Sequence, residues 1–164
     1  FSLSSTAPTM PANYTLKRLI GWFKRVGGTV VAFTSYETDG GGIQTNWNSP
    51  TLDINLANTL TTSRRTDAVK VPLNFSTIAN LNVTLGDAAV NNFVLICCPD
   101  QTDLAPSNTA APLSTIGTNT AAVTLVSNLT VRTSATGTIA ARALTATVDS
   151  YLVATNGFTW ARRN

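Results

Sequence analysis

The chain has 164 residues, of which 43% are hydrophobic and only 12% are charged, and its formal net charge at pH 7 is +3. It contains no His, the commonest general acid/base and metal ligand, and its only glutamate is Glu37, which argues against most enzyme classes. Scattered positive charge at this low density also argues against nucleic-acid binding. The composition predicts a non-enzymatic protein that acts through its surface, with no catalytic residues, no cofactor and no metal site.

The chain begins with an extended segment. Residues 1–13 carry Pro8 and Pro11 among small polar residues, and they are predicted to be a linker at the end of an upstream region. Residues 14–164 are predicted to form one domain, because a chain of this length can bury a single core. No apolar run is long enough to span a membrane, so membrane insertion is not expected.

Two hairpins are predicted next. The first joins residues 14–25 to residues 29–36 through Gly27 and Gly28. The second turns at residues 39–42, where three consecutive glycines accept positive φ, and residues 43–47 pair back.

The later segments continue the β pattern. Residues 92–98 form an unbroken apolar run, which predicts a central strand buried on both faces, and the adjacent Cys97 and Cys98 are expected to be buried and unpaired. Residues 99–117 have no period and are predicted to be a long loop. Turns are predicted at residues 48–50 and 156–157, and Pro72 favours a strand end or a sheet edge. Further strands are predicted at residues 52–56, 64–73, 78–85, 121–132, 138–153 and 158–160.

These short strands and frequent turns predict an all-β fold, an antiparallel β-sandwich of jelly-roll type. The core is expected to contain Ile20, Val31, Phe33, Ile54, Leu56, Phe93, Leu95, Ile139 and Val153.

Four basic doublets stand out, and two readings of them are open. With nearby aromatic residues they could form a surface for sugars or bases. They could instead protect strand edges and form salt links between subunits with Asp53, Asp67 or Asp149. The doublets are Lys17-Arg18, Lys24-Arg25, Arg64-Arg65 and Arg162-Arg163.

Both ends of the chain resemble a known type of protein. Residues 5–21 (STAPTMPANYTLKRLIG) and 157–163 (GFTWARR) resemble the opening and closing segments of the β-rich C-terminal domains of tailed-bacteriophage virion appendage proteins. The resemblance implies a tail-fibre or tail-tip domain that forms a homotrimer, contacts other virion proteins and binds a carbohydrate or an outer-membrane receptor on the host surface. It also implies a protein located in the phage particle that folds in the bacterial cytoplasm.

Two other functions are weighed against host attachment. One is a purely structural virion part, such as a capsid decoration, a head fibre or a tail-completion protein. The other is a polysaccharide hydrolase, which the missing His and the single glutamate disfavour.

Candidate contact residues follow from the predicted loops and from the aromatic residues. Polar loop side chains can hydrogen-bond to sugar hydroxyl groups, and an aromatic ring beside the glycine turn can stack on a sugar. The candidate receptor contacts are Tyr36, Asp39, Trp47, Asp100, Gln101, Asp103, Asn108 and Asn119. Aromatic residues are also enriched in subunit interfaces, and the candidates for this role are Tyr14, Trp22 and Trp160.

Overall fold

The computed structural model describes residues 12, 22–88, 92–105, 114–118, 123–144 and 148–161. It is 66% strand, and the described residues include no helix. Every strand pair is antiparallel, so the predicted all-β antiparallel class is confirmed. Among these residues there is accordingly no helix with the length and hydropathy of a membrane span.

The chain divides into two compact units, residues 1–31 and 32–164. In the first unit, β1 (Arg25–Val26) pairs with β2 (Thr29–Val30). Gly27 and Gly28 join them with φ of 56° and 86°, and glycine reaches these angles without the steric cost of a Cβ. The predicted turn is therefore confirmed. The strand predicted over residues 29–36 is instead divided between β2 and the first strand of the second unit, and residues 14–21 lie outside the described chain.

The second unit contains nine strands within the described residues. They are β3 (Phe33–Glu37), β4 (Gly42–Leu60), β5 (Arg65–Ala68), β6 (Ile78–Asp87), β7 (Asn92–Cys97), β8 (Ser114–Thr118), β9 (Val123–Arg132), β10 (Thr138–Ala143) and β11 (Val148–Ala161). They form a five-stranded sheet in the order β3-β4-β11-β6-β9 and a four-stranded sheet in the order β5-β10-β7-β8.

Strands β4 and β11 are longer than the sequence predicts because bulges interrupt their pairing without ending it. Asn46 pairs with Gly157 and Thr51 with Thr155, so residues 47–50 of β4 lie opposite the single residue 156. The turn predicted at residues 48–50 is such a bulge. Pro50 has no backbone N–H, and in the bulge none is needed for the hydrogen bonds between strands.

The turn and separate last strand predicted at residues 156–160 are wrong, since β11 continues to Ala161. Gly157 instead allows the backbones of β11 and β4 to approach closely, because a Cβ there would lie 2.1 Å from the carbonyl oxygen of Thr45.

The main hydrophobic core draws on both sheets. Its largest fully buried side chain is Tyr151, and around it lie Leu81, Val83 and Leu85 from β6 and Val94 and Ile96 from β7. Four residues of the predicted core are buried: Ile54, Leu95, Ile139 and Val153. Val31, Phe33, Leu56 and Phe93 are half-buried, and Ile20 lies outside the described chain.

Strand β7 is an interior strand of its sheet, and residues 94–98 are buried throughout. Val94 and Ile96 belong to the main core, whereas Leu95 and Cys97 pack with Ala140 in a second cluster. The prediction of a central strand buried on both faces is confirmed, as are two buried, unpaired cysteines.

The predicted loop over residues 99–117 is wrong at its end, because residues 114–117 belong to β8, which pairs with β7. This segment has no apolar alternation of its own, and it becomes a strand through pairing with β7.

Candidate functional site

The hairpin between β3 and β4 is built as predicted. The backbone N–H of Thr38 donates to the carbonyl of Gly42 at 2.8 Å, and that of Gly41 donates to Thr38 at 2.9 Å. Gly41 has a φ of 72°, which a side chain would disfavour. Asp39 is exposed at the tip, and Tyr36 is 49% exposed on β3. Both therefore present polar atoms, and Tyr36 an aromatic face, to an external partner.

Trp47 is not exposed beside them. It is only 7% exposed, packs edge-on to Phe33 at 6.2 Å and lies 5.7 Å from Phe158. Its indole N–H donates to the backbone carbonyl of Lys70 at 3.3 Å. The structure thus places the predicted stacking residue inside the chain, because its large apolar ring is more stable buried against two other aromatic rings.

The polar residues after β7 are held by the chain itself. Asp100 accepts two hydrogen bonds from Arg132, at 2.7 and 2.9 Å, and Asp103 forms an ion pair with Arg142 at 3.0 Å. The Arg132 guanidinium, assisted by Cys98, lowers the pKa of Asp100 below its ordinary value of 3.8. Two of the predicted receptor contacts therefore serve to fix their own segment.

Arg64 also holds the segment after β7 in place. Its guanidinium donates to the carbonyls of Cys98, Pro99 and Gln101 at 2.9–3.0 Å. The side-chain carbonyl of Gln101 in turn accepts from the Cys98 N–H at 2.8 Å. A planar guanidinium with several donors suits such a set of carbonyls better than an ammonium group does. Asn108 and Asn119 lie outside the described residues.

The three predicted interface aromatics have different positions. Trp160 is 6% exposed and packs against Phe75 with a ring separation of 6.2 Å, so it contributes to the interior of its own chain. Trp22 is half-buried in the first unit. Tyr14 lies outside the described residues.

One ion pair reaches the main core. Arg65 and Asp67 form two hydrogen bonds of 2.5 and 2.6 Å along β5, and they are paired across the ladder with Ala141 and Ile139, which are both core residues. The pair lies near Tyr151, whose hydroxyl is buried and has no hydrogen-bond partner among the described residues. Burial, and then the charge of Asp67, raises the pKa of Tyr151 far above its ordinary value.

The cysteines do not form a reactive centre. Burial raises the pKa of both Cys97 and Cys98, so their thiols stay protonated and weakly nucleophilic at neutral pH. Among the described residues, no three His, Cys, Asp or Glu side chains lie together as a metal would require.

A candidate surface lies on the side of the five-stranded sheet that faces away from the main core. Its residues follow from the ladder, because directly paired residues project to the same side of a sheet. We call three neighbouring rungs across β4, β11, β6 and β9 the outer face, and none of their twelve residues is charged; a further rung on this side, Gln44-Thr159-Ile78-Arg132, carries the charge of Arg132. The three rungs of the outer face are Ala57-Ser150-Gly86-Thr124, Asn55-Leu152-Thr84-Val126 and Leu52-Ala154-Asn82-Asn128.

The outer face is ordered by its own side chains. Asn82 and Asn156 exchange two amide hydrogen bonds, at 3.0 and 2.6 Å. Leu52 is 53% exposed and Val126 is 66% exposed. An uncharged face loses less solvation free energy on contact with another protein than a charged face does, so it is suited to association.

Sequence reasoning missed two features of this site. The alternation at residues 52–56 predicts Leu52 on the same side as Ile54, but a register shift in β4 turns Leu52 to the outer face. The doublet Arg64-Arg65 is predicted to bind sugars or bases, to protect a strand edge or to form salt links between subunits, whereas both guanidinium groups bind partners within the chain. Of these predictions, edge protection agrees with the position of Arg65 on the edge strand β5. The proximity of the doublet to Asp67 in sequence is the one signal for a local pair.

Comparisons with known proteins add no relative: no family model matches the chain, and neither a curated protein nor a solved structure is significantly similar to it.

Proposed function

We propose that this chain is a structural subunit of a virus particle and that its second unit is a jelly-roll sandwich that works by packing against copies of itself. The observation that carries the proposal is the strand order. Numbered 1 to 8, strands β4 to β11 have the orders 1-8-3-6 and 2-7-4-5 in the two sheets, with β3 added at one edge. This is the order of a double-sheet jelly roll.

The pairing supports the same topology. The first strand of the eight pairs with the last, the second with the seventh, the third with the sixth and the fourth with the fifth. A long antiparallel ribbon that folds over on itself produces this set of pairs. The core shared by both sheets is what two sheets packed face to face require.

Jelly rolls are used by viral shell proteins, by lectins and by cupins, so fold analogy alone leaves the choice open. The chain has no His to hold a metal in the way a cupin site does. Asp100 and Asp103, which could contact a sugar, are held by Arg132 and Arg142. The outer face is uncharged, and its exposed Leu52 and Val126 favour a protein whose partner is another protein surface.

The resemblance of both chain ends to phage virion proteins supports a tailed bacteriophage as the source of the particle. On this proposal the chain is a shell, head-fibre or decoration subunit. Its location is the virion, and its assembly unit is a homotrimer that contacts other virion proteins.

The proposal is tested by the assembly state of the purified chain. We expect sedimentation at micromolar concentration to give oligomers well above 17.3 kDa. Asn55→Lys on the exposed part of the outer face should reduce assembly, because a charge in a contact must be desolvated. Thr62→Lys, at an exposed position outside the sheets, is the matched control. A wild-type chain that stays monomeric would contradict the proposal.

Attachment to the host surface is a second candidate, favoured by the exposed Tyr36 and Asp39 at the hairpin tip. A carbohydrate or an outer-membrane receptor would contact the ring and the carboxylate. Cell binding by wild type, and its loss in Tyr36→Ala with assembly unchanged, would support this role. Equal binding by wild type and Tyr36→Ala would exclude this residue as a receptor contact.

A further inference from the structure

Strand β9 forms one edge of the five-stranded sheet. It pairs with β6 along its whole length, from Val123 to Arg132. The described part of the chain places no strand on its other side. An antiparallel edge strand leaves every second pair of N–H and C=O groups without a ladder partner, and these groups can pair with a further strand.

The β9 edge lacks the features that protect other edges. Strand β5 has only four residues, including the Arg65–Asp67 ion pair, and β3 has five and ends in Glu37. Strand β9 has ten residues, and its only charged residue is the last one, Arg132, which Asp100 binds; residues 123–131 contain no charge, proline or glycine. Natural edge strands of this length normally carry such guards against strand addition, so an unguarded edge indicates that another strand covers it.

The sequence of β9 indicates which strand that is. Residues 123–131 read V-T-L-V-S-N-L-T-V, which is nearly the same in both directions about Ser127. When two copies of a strand pair antiparallel about a two-fold axis at Ser127, Leu125 lies opposite Leu129 and Thr124 lies opposite Thr130. Only Val126 and Asn128 then face unlike residues.

We propose that the β9 edge pairs with β9 of a second copy, antiparallel and two-fold symmetric about Ser127. This inference rests on the proposed self-association and names one contact of it. The contact is isologous, as a two-fold axis requires, so it joins copies from different trimers, and it would unite two five-stranded sheets into one.

Side-chain positions agree with this register. Leu125 and Leu129 are paired with Leu85 and Leu81, which are core residues, so both leucines project to the core side of the sheet. Leu125 is still 36% exposed, because no strand lies beyond it in the described chain. Leu129 of the second copy would cover it.

Cysteine cross-linking tests the register. In Ser127→Cys the two introduced thiols lie directly opposite each other, about 5 Å apart at Cβ, and mild oxidation should link most of the chain into dimers. In Thr124→Cys the equivalent thiols are about 20 Å apart, at roughly 3.4 Å per residue, so this variant should not cross-link. Wild type under the same oxidation measures the background from the buried Cys97 and Cys98.

Charge complementation tests the same contact without a covalent bond. Val126 and Asn128 are both exposed and lie opposite each other in the proposed pair. V126K/N128K and V126E/N128E should each bind themselves about tenfold more weakly than wild type, since like charges face each other. An equimolar mixture should recover dimers, which also shows that both variants are folded. T62K/S63K adds the same charge at exposed positions outside the sheets and should leave the contact unchanged.

The outcomes separate this inference from the proposed function. If Ser127→Cys links no more than Thr124→Cys, or if the mixture does not recover dimers, the β9 pairing is wrong even when wild type assembles. If Ser127→Cys links into dimers while wild type forms nothing larger than a dimer at any concentration, the β9 pairing stands and the multi-copy virion assembly fails.

Discussion

The two sheets of the second unit differ in where they carry charge. In the four-stranded sheet, Arg65, Asp67 and Arg142 stand within strands, and each is bound by a partner of the same chain. In the five-stranded sheet, the three rungs of the outer face carry no charge, and acidic residues occur at bulges and strand ends, as at Asp53 and Asp87. A chain with few charged residues can therefore still distribute them unevenly between its two sheets. The charges of one sheet stabilise the chain itself, which leaves the other sheet free to contact other molecules.

Gly157→Ala should have the largest effect, because it tests the close packing of the five-stranded sheet. The new methyl group would lie 2.1 Å from the Thr45 carbonyl oxygen and 2.9 Å from the Asn46 Cα, and a backbone cannot yield as a side chain does. We expect a loss of more than about 3 kcal/mol in the free energy of unfolding, measured by denaturant titration. Gly40→Ala is the control, since a Cβ there meets nothing within 4 Å. Equal stability of the two variants would show that β4 and β11 are less close than described.

Ile96→Ala tests the core side of the four-stranded sheet. Ile96 is 0% exposed in the main core, and its truncation removes apolar contacts and leaves a cavity, at a cost of about 3 kcal/mol. Leu52→Ala, on the 53% exposed outer-face residue, should cost less than about 0.5 kcal/mol. The denaturant midpoints of the two variants provide the measurement. A large loss of unfolding free energy in Leu52→Ala would show that Leu52 packs in the core.

These two residues also show what sequence could predict. Residues 92–98 are apolar without a break, and burial on both faces of an interior strand follows from that composition alone. Leu52 obeys the same alternation as Ile54, yet it projects to the opposite side, because the bulge depends on pairing with β11, about 100 residues later in the chain.

The candidate site was harder to predict for the same reason. Asp100 and Asp103 have the composition of a binding loop, and nothing near them in sequence reveals that Arg132 and Arg142 will neutralise them. The outer face depends on which residues of four distant strands form each rung. Low charge alone could predict a contact surface, but not its position.

Arg64→Ala tests whether charge beside the four-stranded sheet serves the chain. It leaves three carbonyls, those of Cys98, Pro99 and Gln101, without their donor, and we expect a loss of about 2 kcal/mol in the free energy of unfolding. Arg64→Lys should recover only part of this, because an ammonium group cannot reach all three oxygens in a planar fork. Full recovery by Lys would show that charge alone is sufficient.

Tyr151→Phe tests the region where the ion pair of one sheet meets the core of the other. The buried hydroxyl has no hydrogen-bond partner among the described residues. Its removal should therefore raise the free energy of unfolding by about 1 kcal/mol at neutral pH. Because the pKa of Tyr151 is raised in the folded chain above its ordinary 10.0, the folded state loses stability as pH rises above 10, where the unfolded chain ionises. Unfolding titrations from pH 8 to 11 should show a smaller alkaline loss in Tyr151→Phe than in wild type. An equal alkaline loss in Tyr151→Phe and in wild type would place the hydroxyl in contact with water.

Asp100→Asn should have the smallest effect, because the Asp100–Arg132 pair is largely exposed, at 58% and 48% of the two side chains, and water screens such pairs. The pKa of Asp100 is lower in the folded chain than its ordinary 3.8, chiefly through the Arg132 hydrogen bonds. The pair therefore stabilises folding fully well above pH 3.8, and the contribution is lost as pH falls through the lower folded value. Amide hydrogen exchange of residues 99–105 should accelerate in wild type once the pH falls below the folded-state pKa of Asp100. In Asp100→Asn the same amides should exchange faster than in wild type already at neutral pH. Asp39→Asn removes the same charge from the hairpin tip and should leave this segment unchanged. If Asp100→Asn exchanges like wild type, the contacts of Arg64, Gln101 and Asp103 are sufficient to hold the segment after β7, and Asp100 becomes available as a contact for an external ligand.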